Sequence, residues 1–445
     1  GKVHVTRSAG GEWVDVTNRI RGVPGGTWIP HIEPSKHDSA TAYVVFDDHR
    51  RGNWETYLYR TGNGGRDWDD VGRRRGIDGF LHTLEEDPLT PRLLFAGGEL
   101  GLFVSLDAGE RWFKWTHGLP TAPVRSLVVH PHDHDLVIGT HGRALWILDD
   151  IRPLRALAQD PGLTAEPVHL FDPPPAYLHA TAAVDGYHFA GDAVFRGETR
   201  PHGALLTWWV GREDADTAAV ELVDEAGRIV RSFRVPAEPG LNRVAWDLRE
   251  DAPESPPEPE GRGRTEGPEV LPGTYVARVT VGGVTSERSV QVLPDPRVDV
   301  PMEERREKAE AIRQGLALEA RLAAVRDVET EVREGTARLL ELLGDRADEP
   351  APELRRGVRD VRQGLRDAAA TDEVDPHRRI VGTLSSSYDR PTEAQRLALR
   401  RMEESVVRLE AAVNAFLAGP LADFRRRVEA AGLEVFPAPS RVGGG

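Results

Sequence analysis

Short apolar segments alternate with turns along the first 154 residues, and the same order of segments returns in successive units. Each unit opens with a segment that ends in a proline turn and continues with two further apolar segments. The proline turns are residues 32–34, 84–88 and 128–131; the second segments are 42–46, 93–96 and 136–138; the third are 56–60, 102–105 and 144–148. Apolar segments of this length between turn residues indicate β-strands. A repeat of roughly 40 to 50 residues built from short strands predicts the blades of a β-propeller.

A polar motif, Ser/Thr-x-Asp-x-Gly-x-x-Trp, marks the turn after the third strand. Its three copies contain Ser105, Asp107, Gly109 and Trp112; Thr61, Asn63, Gly65 and Trp68; and Thr6, Ser8, Gly10 and Trp13. A short polar side chain accepts hydrogen bonds from backbone N–H groups in a tight turn, and glycine adopts the positive φ. We therefore interpret the motif as structural, with the tryptophan packed beneath the turn. On this interpretation Asp107 is a turn residue and not a catalytic acid.

The three copies resemble the Asp-box, or bacterial neuraminidase repeat. The flanking segments 27–47, 93–112 and 118–154 are similar to bacterial sortilin-like propeller proteins that carry a "glycosyl hydrolase" description. This resemblance covers most of residues 1–154, which we interpret as the terminal blades of a propeller. It also implies an exported protein, in the extracellular space or the periplasm.

The repeat supplies about three blades and a partial one at the start, whereas closed propellers have four to eight. An incomplete array leaves apolar faces uncovered. We therefore expect this chain to be the C-terminal part of a larger propeller protein. Its expected partners are upstream blades, from the same protein or from a separate chain.

The chain changes character after the propeller-like repeat. Residues 155–200 are rich in proline, alanine and histidine and predict an extended, polyproline-like connector. Alternation with period two returns in residues 201–296, where six short segments predict an Ig-like β-sandwich. Within it, residues 251–268 have little to bury and are expected to form a disordered insert.

Residues 297–436 predict a helical bundle or antiparallel coiled coil, followed by a flexible tail at 437–445. Apolar residues recur at helical spacing on three segments. These stripes are Ile312, Leu316, Leu322, Val325, Val328, Val332, Leu339 and Leu343; Leu354, Val358, Val361 and Leu365; and Leu397, Val406, Leu409, Val413 and Phe416. Proline cannot continue a regular helix, so we expect the third helix to break at Gly419 and Pro420.

Composition narrows the possible partners. The chain has 445 residues and a net charge of −15, which argues against a nucleic-acid partner. It has no cysteine, which excludes disulfides, thiolate catalysis and cysteine-ligated zinc. No stretch approaches the roughly 18 apolar residues of a membrane span.

Single residues of the sequence offer two kinds of chemistry. The histidines at 130, 132, 134 and 141 lie close in sequence, but Pro131 and Asp133 indicate a turn, and we assign neither a metal nor another cofactor. Glycoside hydrolysis requires two carboxylates across the sugar, or a tyrosine with an arginine cluster. None of the carboxylates stands in a catalytic motif, so no catalytic residue is assigned. Glu99 is the weak candidate, because it lies in a turn between two strands.

A ligand site is the stronger functional hypothesis. His31, His82, Glu99, His141 and Arg143 occupy the starts of strands or turns between strands at comparable repeat positions. Such loops gather at one end of a propeller, around its central channel. The sequence therefore suggests an exported binding or scaffolding protein that recognises a peptide or a glycan there. The alternative is a glycoside hydrolase, of the sialidase or xyloglucanase kind, whose carboxylates lie partly in missing blades.

Overall fold

The computed structural model describes residues 1–179, 197, 199–211, 216–252, 267–344, 350–370 and 379–433. The protein is mainly β-structure, with a helical C-terminal region. Most of the predicted disordered insert and all of the predicted tail at 437–445 lie outside the described residues.

The first 150 residues form a two-stranded pair and three antiparallel sheets whose strands follow chain order. The pair contains β1 (His4–Val5) and β2 (Val14–Asp15). The first sheet contains β3 (Trp28–Pro34), β4 (Ala42–Asp47), β5 (Tyr57–Thr61) and β6 (Asp69–Asp70). The second contains β7 (Leu81–Glu86), β8 (Leu94–Gly98), β9 (Gly101–Ser105) and β10 (Phe113–Trp115), and the third β11 (Val124–Val129), β12 (Leu136–Thr140) and β13 (Leu145–Leu148).

Neighbouring sheets bury their apolar faces against each other. Alternate residues of a strand point to opposite faces, so each sheet can contribute to two cores. Between the first and second sheets, Tyr43 and Val45 share a cluster with Leu94. Between the second and third sheets, Phe95 shares a cluster with Ile138. The other face of the first sheet packs against Val3 and Val16, and β7 contacts both β3 and β11.

A second group of strands forms two sheets that share one hydrophobic cluster. One sheet has the order β14 (Val168–Leu170), β16 (Ala204–Val210) and β19 (Gly240–Trp246). The other has the order β15 (Ala176–Leu178), β21 (Val284–Pro294), β20 (Gly273–Val281), β17 (Thr217–Val223) and β18 (Ile229–Pro236). The six predicted strands are therefore present.

The prediction of an extended connector over 155–200 is wrong where the chain is described. Helix α1 (Arg152–Gln159) follows the third sheet, and a 3₁₀ helix follows at Pro161–Ala165. The next residues, β14 and β15, pair with β16 and β21. Local composition suggested polyproline, but the free edges of two sheets provide hydrogen-bond partners that local composition cannot reveal.

The C-terminal helices share one buried cluster that contains most of the predicted apolar stripes. Leu316 is buried outside this cluster, and the prediction is wrong for Leu397, which is 41% exposed. They are α2 (Met302–Leu343), α3 (Ala351–Ala368), α4 (Ile380–Leu384), α5 (Glu393–Phe416) and α6 (Ala422–Ala430). The predicted break at Gly419 and Pro420 is wrong, because a π-helical turn at Leu417–Leu421 joins α5 to α6. A π turn accommodates the missing N–H of Pro420 without ending the helix. Within the described part of the chain, no helix combines the length and apolar character needed to cross a membrane.

Candidate functional site

The best copy of the polar motif forms a tight turn between β9 and β10. The Ser105 Oγ accepts from the N–H of Gly109 at 2.9 Å, and the Asp107 carboxylate accepts from the N–H of Arg111 at 2.8 Å. Gly109 has a φ of +91°, where a side chain would be strained. The indole of Trp112 is 5% exposed and donates to the Val71 carbonyl at 2.8 Å. This turn has the hydrogen bonds that its sequence pattern requires.

The second copy repeats the hydrogen bonds of the polar side chains but not that of the indole, and the first copy has only some of them. The Thr61 Oγ1 accepts from the Gly65 N–H at 3.0 Å, the Asn63 side chain caps the following turn, and Trp68 packs half-buried. In the first copy Thr6 accepts from the Gly10 N–H at 3.0 Å. Trp13, however, is 60% exposed. The expectation that every motif tryptophan packs beneath its turn is therefore wrong for Trp13.

The three adjacent strands β3, β7 and β11 share one irregularity near their starts. The pairing register shifts between Trp28 and His31 in β3, between Leu81 and Thr83 in β7, and between Val124 and Ser126 in β11. A bulge bends its strand and redirects the extra side chain, and bulges often lie beside binding sites. The residues inside these three irregularities include Pro30, His82 and Arg125, all of which line one cleft.

His82 connects two oppositely charged side chains at this cleft. Its Nε2 lies 3.0 Å from Glu99 Oε2, and its Nδ1 lies 3.1 Å from a terminal nitrogen of Arg125. The second terminal nitrogen of Arg125 lies 3.8 Å from the same Glu99 oxygen. His82 is buried, whereas Glu99 and Arg125 remain partly exposed. The buried imidazole of His82 therefore contacts one anionic group, Glu99, and one cationic group, Arg125, and both of these reach solvent.

The two contacts of His82 determine its protonation state. A guanidinium can only donate, so Nδ1 accepts; a carboxylate oxygen accepts, so Nε2 carries the proton. Burial lowers the pKa of His82 below 6.5, and the Arg125 charge lowers it further, against the opposing effect of Glu99. His82 is thus a neutral imidazole that fixes the orientation of both neighbours.

The cleft itself is small, polar and edged by aromatic residues. Its volume is about 200 Å³, and its lining consists of Trp28, Pro30, Asp47, His49, Arg50, His82 and Arg125. The His49 ring stacks on Phe80 at 4.6 Å between centroids, and its Nδ1 lies 2.6 Å from Asp47 Oδ1. Trp54 contacts Phe80 at 5.4 Å, and both Trp28 and Trp54 are more than 60% exposed. Exposed indoles beside fixed charged groups are typical of binding surfaces.

Of the five predicted ligand-site residues, His82 and Glu99 contact each other. His31 Nε2 lies 3.4 Å from Glu33 Oε2 on its own strand. Lys36 then joins that carboxylate to Glu85 of β7, at 3.1 and 2.7 Å respectively. This second network connects β3 to β7.

His141 and Arg143 lie in the exposed turn between β12 and β13. Within the described residues, no hydrogen bond or ion pair joins either of them to His82 or Glu99. The backbone N–H of His141 donates to the Pro123 carbonyl at 2.8 Å, two residues before Arg125. That His141 and Arg143 belong to one ligand site with His82 stays a prediction.

Sequence reasoning missed Arg125, Asp47, His49 and the two exposed tryptophans. Arg125 stands beside Ser126 in the strand β11, whose other four residues are apolar, and a charged residue in such a strand is a signal that could have been found. The histidines at the β11–β12 turn have structural contacts. His130 lies 3.0 Å from Asp133, and His134 lies 2.9 Å from a guanidinium nitrogen of Arg155. No group of three metal-ligating side chains is present among the described residues.

No protein-family model and no curated protein sequence matches the chain. Solved structures with partial similarity include a GH74 enzyme from Niastella koreensis, with 14% identity, a TM-score of 0.27, and coverage of 33% of this chain and 25% of that one. YCF48 bound to a D1 peptide has 12% identity, a TM-score of 0.21, and coverage of 34% and 63%. An ancestral GH74 enzyme has 9% identity, a TM-score of 0.25, and coverage of 53% and 30%. The chain spans less than two thirds of the length of each of these proteins.

Proposed function

We propose that this protein is an exported, propeller-based binding protein that recognises a peptide or a glycan at the cleft around His82. In this proposal the three sheets are blades of an Asp-box propeller, followed by an Ig-like sandwich and a helical bundle. The observation that carries it is the meeting of three strand irregularities at one cleft. Each irregularity leaves a residue of its strand without its regular backbone hydrogen bonds to the neighbouring strand. Three such irregularities around polar side chains at equivalent repeat positions therefore favour a functional site.

The chemistry of the cleft suits recognition. Glu99 and Arg125 offer a fixed acceptor and fixed donors, and their orientation is held by a neutral, buried imidazole. Preorganised groups lose little conformational entropy when a ligand binds. The exposed faces of Trp28 and Trp54 add apolar area, against which a peptide side chain or the C–H face of a sugar can pack.

Arrays of oligosaccharides and peptides, probed with the full chain, test this proposal. Trp28→Ala should weaken any binding at the cleft by about tenfold, corresponding to the loss of one aromatic contact. Trp13→Ala is the matched control, because Trp13 is 60% exposed and Trp28 is 64% exposed. Equal effects of the two substitutions, or binding that neither changes, would exclude the cleft as the site.

A glycoside hydrolase is the second candidate. Asp47 lines the cleft, and Glu99 contacts His82, which also lines it, so two carboxylates lie near one another around His82. Hydrolysis needs such a pair across the scissile bond. Asp47, however, already accepts from both the ring and the backbone N–H of His49. These hydrogen bonds are typical of a carboxylate that orients a neighbouring residue, here His49, and not of a catalytic acid or nucleophile.

A further inference from the structure

Two histidine side chains face each other where the two sheets of the second group of strands meet. His179 directly follows Leu178, the last residue of β15, and His202 lies two residues before Ala204, the first residue of β16. The strand β15 belongs to one sheet and β16 to the other, and the two strands are in contact. The Nδ1 atoms of the two rings are 3.3 Å apart, and both residues are exposed. Two ring nitrogens that solvent can reach therefore connect the two sheets.

The backbone beside each histidine is held in place by buried neighbours. Leu178 is 1% exposed and Ala204 is 0% exposed, and both belong to the hydrophobic cluster that the two sheets share. Gly203 has a φ of +112° and lies so close to the Trp246 carbonyl that a side chain would not fit there. The two backbone segments are thus fixed, while the exposed rings can turn. Ligand groups on a fixed backbone lose little conformational entropy when they bind.

The distance between the two nitrogens suits a shared metal ion better than a shared proton. Two nitrogens bound at about 2.0–2.1 Å to one tetrahedral zinc ion are about 3.3–3.4 Å apart. The observed separation of the Nδ1 atoms of His179 and His202 is 3.3 Å. The same distance is long for a hydrogen bond donated by a ring N–H. The geometry of the pair is therefore that of two ligands of one tetrahedral ion.

The surroundings of His202 favour the neutral imidazole, which is the form that binds metal. Partial burial of the ring lowers the pKa of His202 below 6.5, and the charges of protonated His179 and of Arg249 lower it further, against the opposing effect of Asp247. The Asp247 carboxylate itself accepts from the backbone N–H of Arg249 and lies 3.5 Å from Arg231. Because Asp247 has these partners, water is the available source of further ligands.

We infer that His179 and His202 bind one divalent transition-metal ion of the zinc type through their Nδ1 atoms, with water at the remaining positions. Each ring then carries its proton on Nε2. Imidazole nitrogens suit zinc, copper and nickel, whereas magnesium and calcium prefer oxygen ligands. The bound ion would link β15 to β16 and so join the two sheets at this end. The site lies in the second group of strands and does not depend on the function proposed for the His82 cleft.

Calorimetric titration of the 445-residue chain with Zn²⁺ tests this inference. We expect saturable binding in the micromolar range, weaker than at closed sites with four protein ligands. Glutamine can form a hydrogen bond in place of histidine but is not a usual zinc ligand. His179→Gln and His202→Gln should each weaken Zn²⁺ binding by about 100-fold, because the second ligand of a chelate acts at a high effective concentration. Both variants should melt within about 2 °C of the parent in EDTA, since both positions are exposed.

His132→Gln is the matched control for the loss of one exposed histidine. The His132 ring lies 6.1 Å from that of His130, so it also belongs to a pair, but one that is too far apart to share an ion. This variant should bind Zn²⁺ as the parent does, and excess Mg²⁺ should not compete in any of the proteins. Absence of saturable Zn²⁺ binding, binding that neither His179→Gln nor His202→Gln weakens, or an equal loss in His132→Gln would overturn the inference.

Discussion

Arg155 of α1 forms a buried ion pair with Asp87, which lies 68 residues earlier in the turn between β7 and β8. The Arg155 Nε lies 3.0 and 2.9 Å from the two oxygens of a carboxylate that is 0% exposed. That carboxylate also accepts from the backbone N–H groups of Leu89 and Thr90. The Asp87 side chain therefore caps a turn of the second sheet and also binds α1, the helix that follows the third sheet.

Removing either partner should destabilise the protein strongly. Arg155→Met leaves a buried carboxylate without its counter-charge, and we expect a loss of about 3 to 5 kcal/mol of unfolding free energy. Asp87→Asn should have a comparable effect. The double variant should lose less than the sum of the two, because no unpaired charge remains. Urea unfolding of the four proteins measures this; strictly additive effects would show that the pair is not coupled.

The motif tryptophans should differ sharply in their contribution to stability. Trp112→Ala empties a buried aromatic site and removes an indole hydrogen bond, so we expect a loss of about 3 to 5 kcal/mol. Trp13→Ala, at an exposed position, should change the unfolding free energy by less than about 0.5 kcal/mol. Chemical unfolding of both variants makes the comparison. Equal losses of unfolding free energy in the two variants would contradict the difference in packing between Trp13 and Trp112.

Asp107 is expected to act on the fold and not on a ligand. Asp107→Ala removes the acceptor for the Arg111 N–H and should cost about 1 to 2 kcal/mol of unfolding free energy. Asp107→Asn keeps an acceptor oxygen and should recover most of that loss. Thermal unfolding and the binding arrays together provide the check. Loss of binding with an unchanged melting temperature would contradict the structural interpretation of the motif.

Stability should depend on pH through His82. Because burial and Arg125 hold the pKa of His82 below 6.5, the unfolded chain binds a proton more readily than the folded one. The contribution of the neutral imidazole is therefore fully present above about pH 6.5 and is lost as the pH falls below it. His82→Gln retains a donor towards Glu99 and an acceptor for Arg125 but does not titrate in this range. Comparing its urea unfolding with that of the parent at pH 5 and pH 8 isolates this contribution; His141→Gln, in an exposed turn, is the control.

Glu99→Gln separates binding from catalysis. For a binding protein, loss of the charge should weaken the affinity by an amount comparable to one charge-assisted hydrogen bond, about 1.5 to 3 kcal/mol. For a hydrolase, turnover should fall by orders of magnitude while affinity is largely kept. Ligand titration and product release, measured on the same ligand, distinguish the two. Cleavage that Glu99→Gln eliminates would favour the enzyme; cleavage that it leaves intact would locate the active site elsewhere.

The sequence by itself determined the local structure of this protein. Three strands of each sheet, the turn built on Ser105 and Gly109, and most of the apolar stripes of α2 and α5 follow from patterns that extend over a few residues, whereas the short fourth strands β6 and β10 do not. Turn chemistry and side-chain period act over that range, so a single sequence records them directly.

Tertiary structure alone decided how distant positions meet. Arg125 contacts His82 across 43 residues, and the local sequence around either residue does not show that the two side chains meet. Trp13 and Trp112 occupy the same motif position, yet one is exposed and the other buried, because only Trp112 has a neighbouring sheet around it. The strands β14 and β15 form in a proline-rich segment since the edges of later strands are there to receive them. The Arg125–His82 contact, the burial of Trp112 and the pairing of β14 and β15 all depend on which parts of the folded chain lie next to each other. Local sequence does not contain that information.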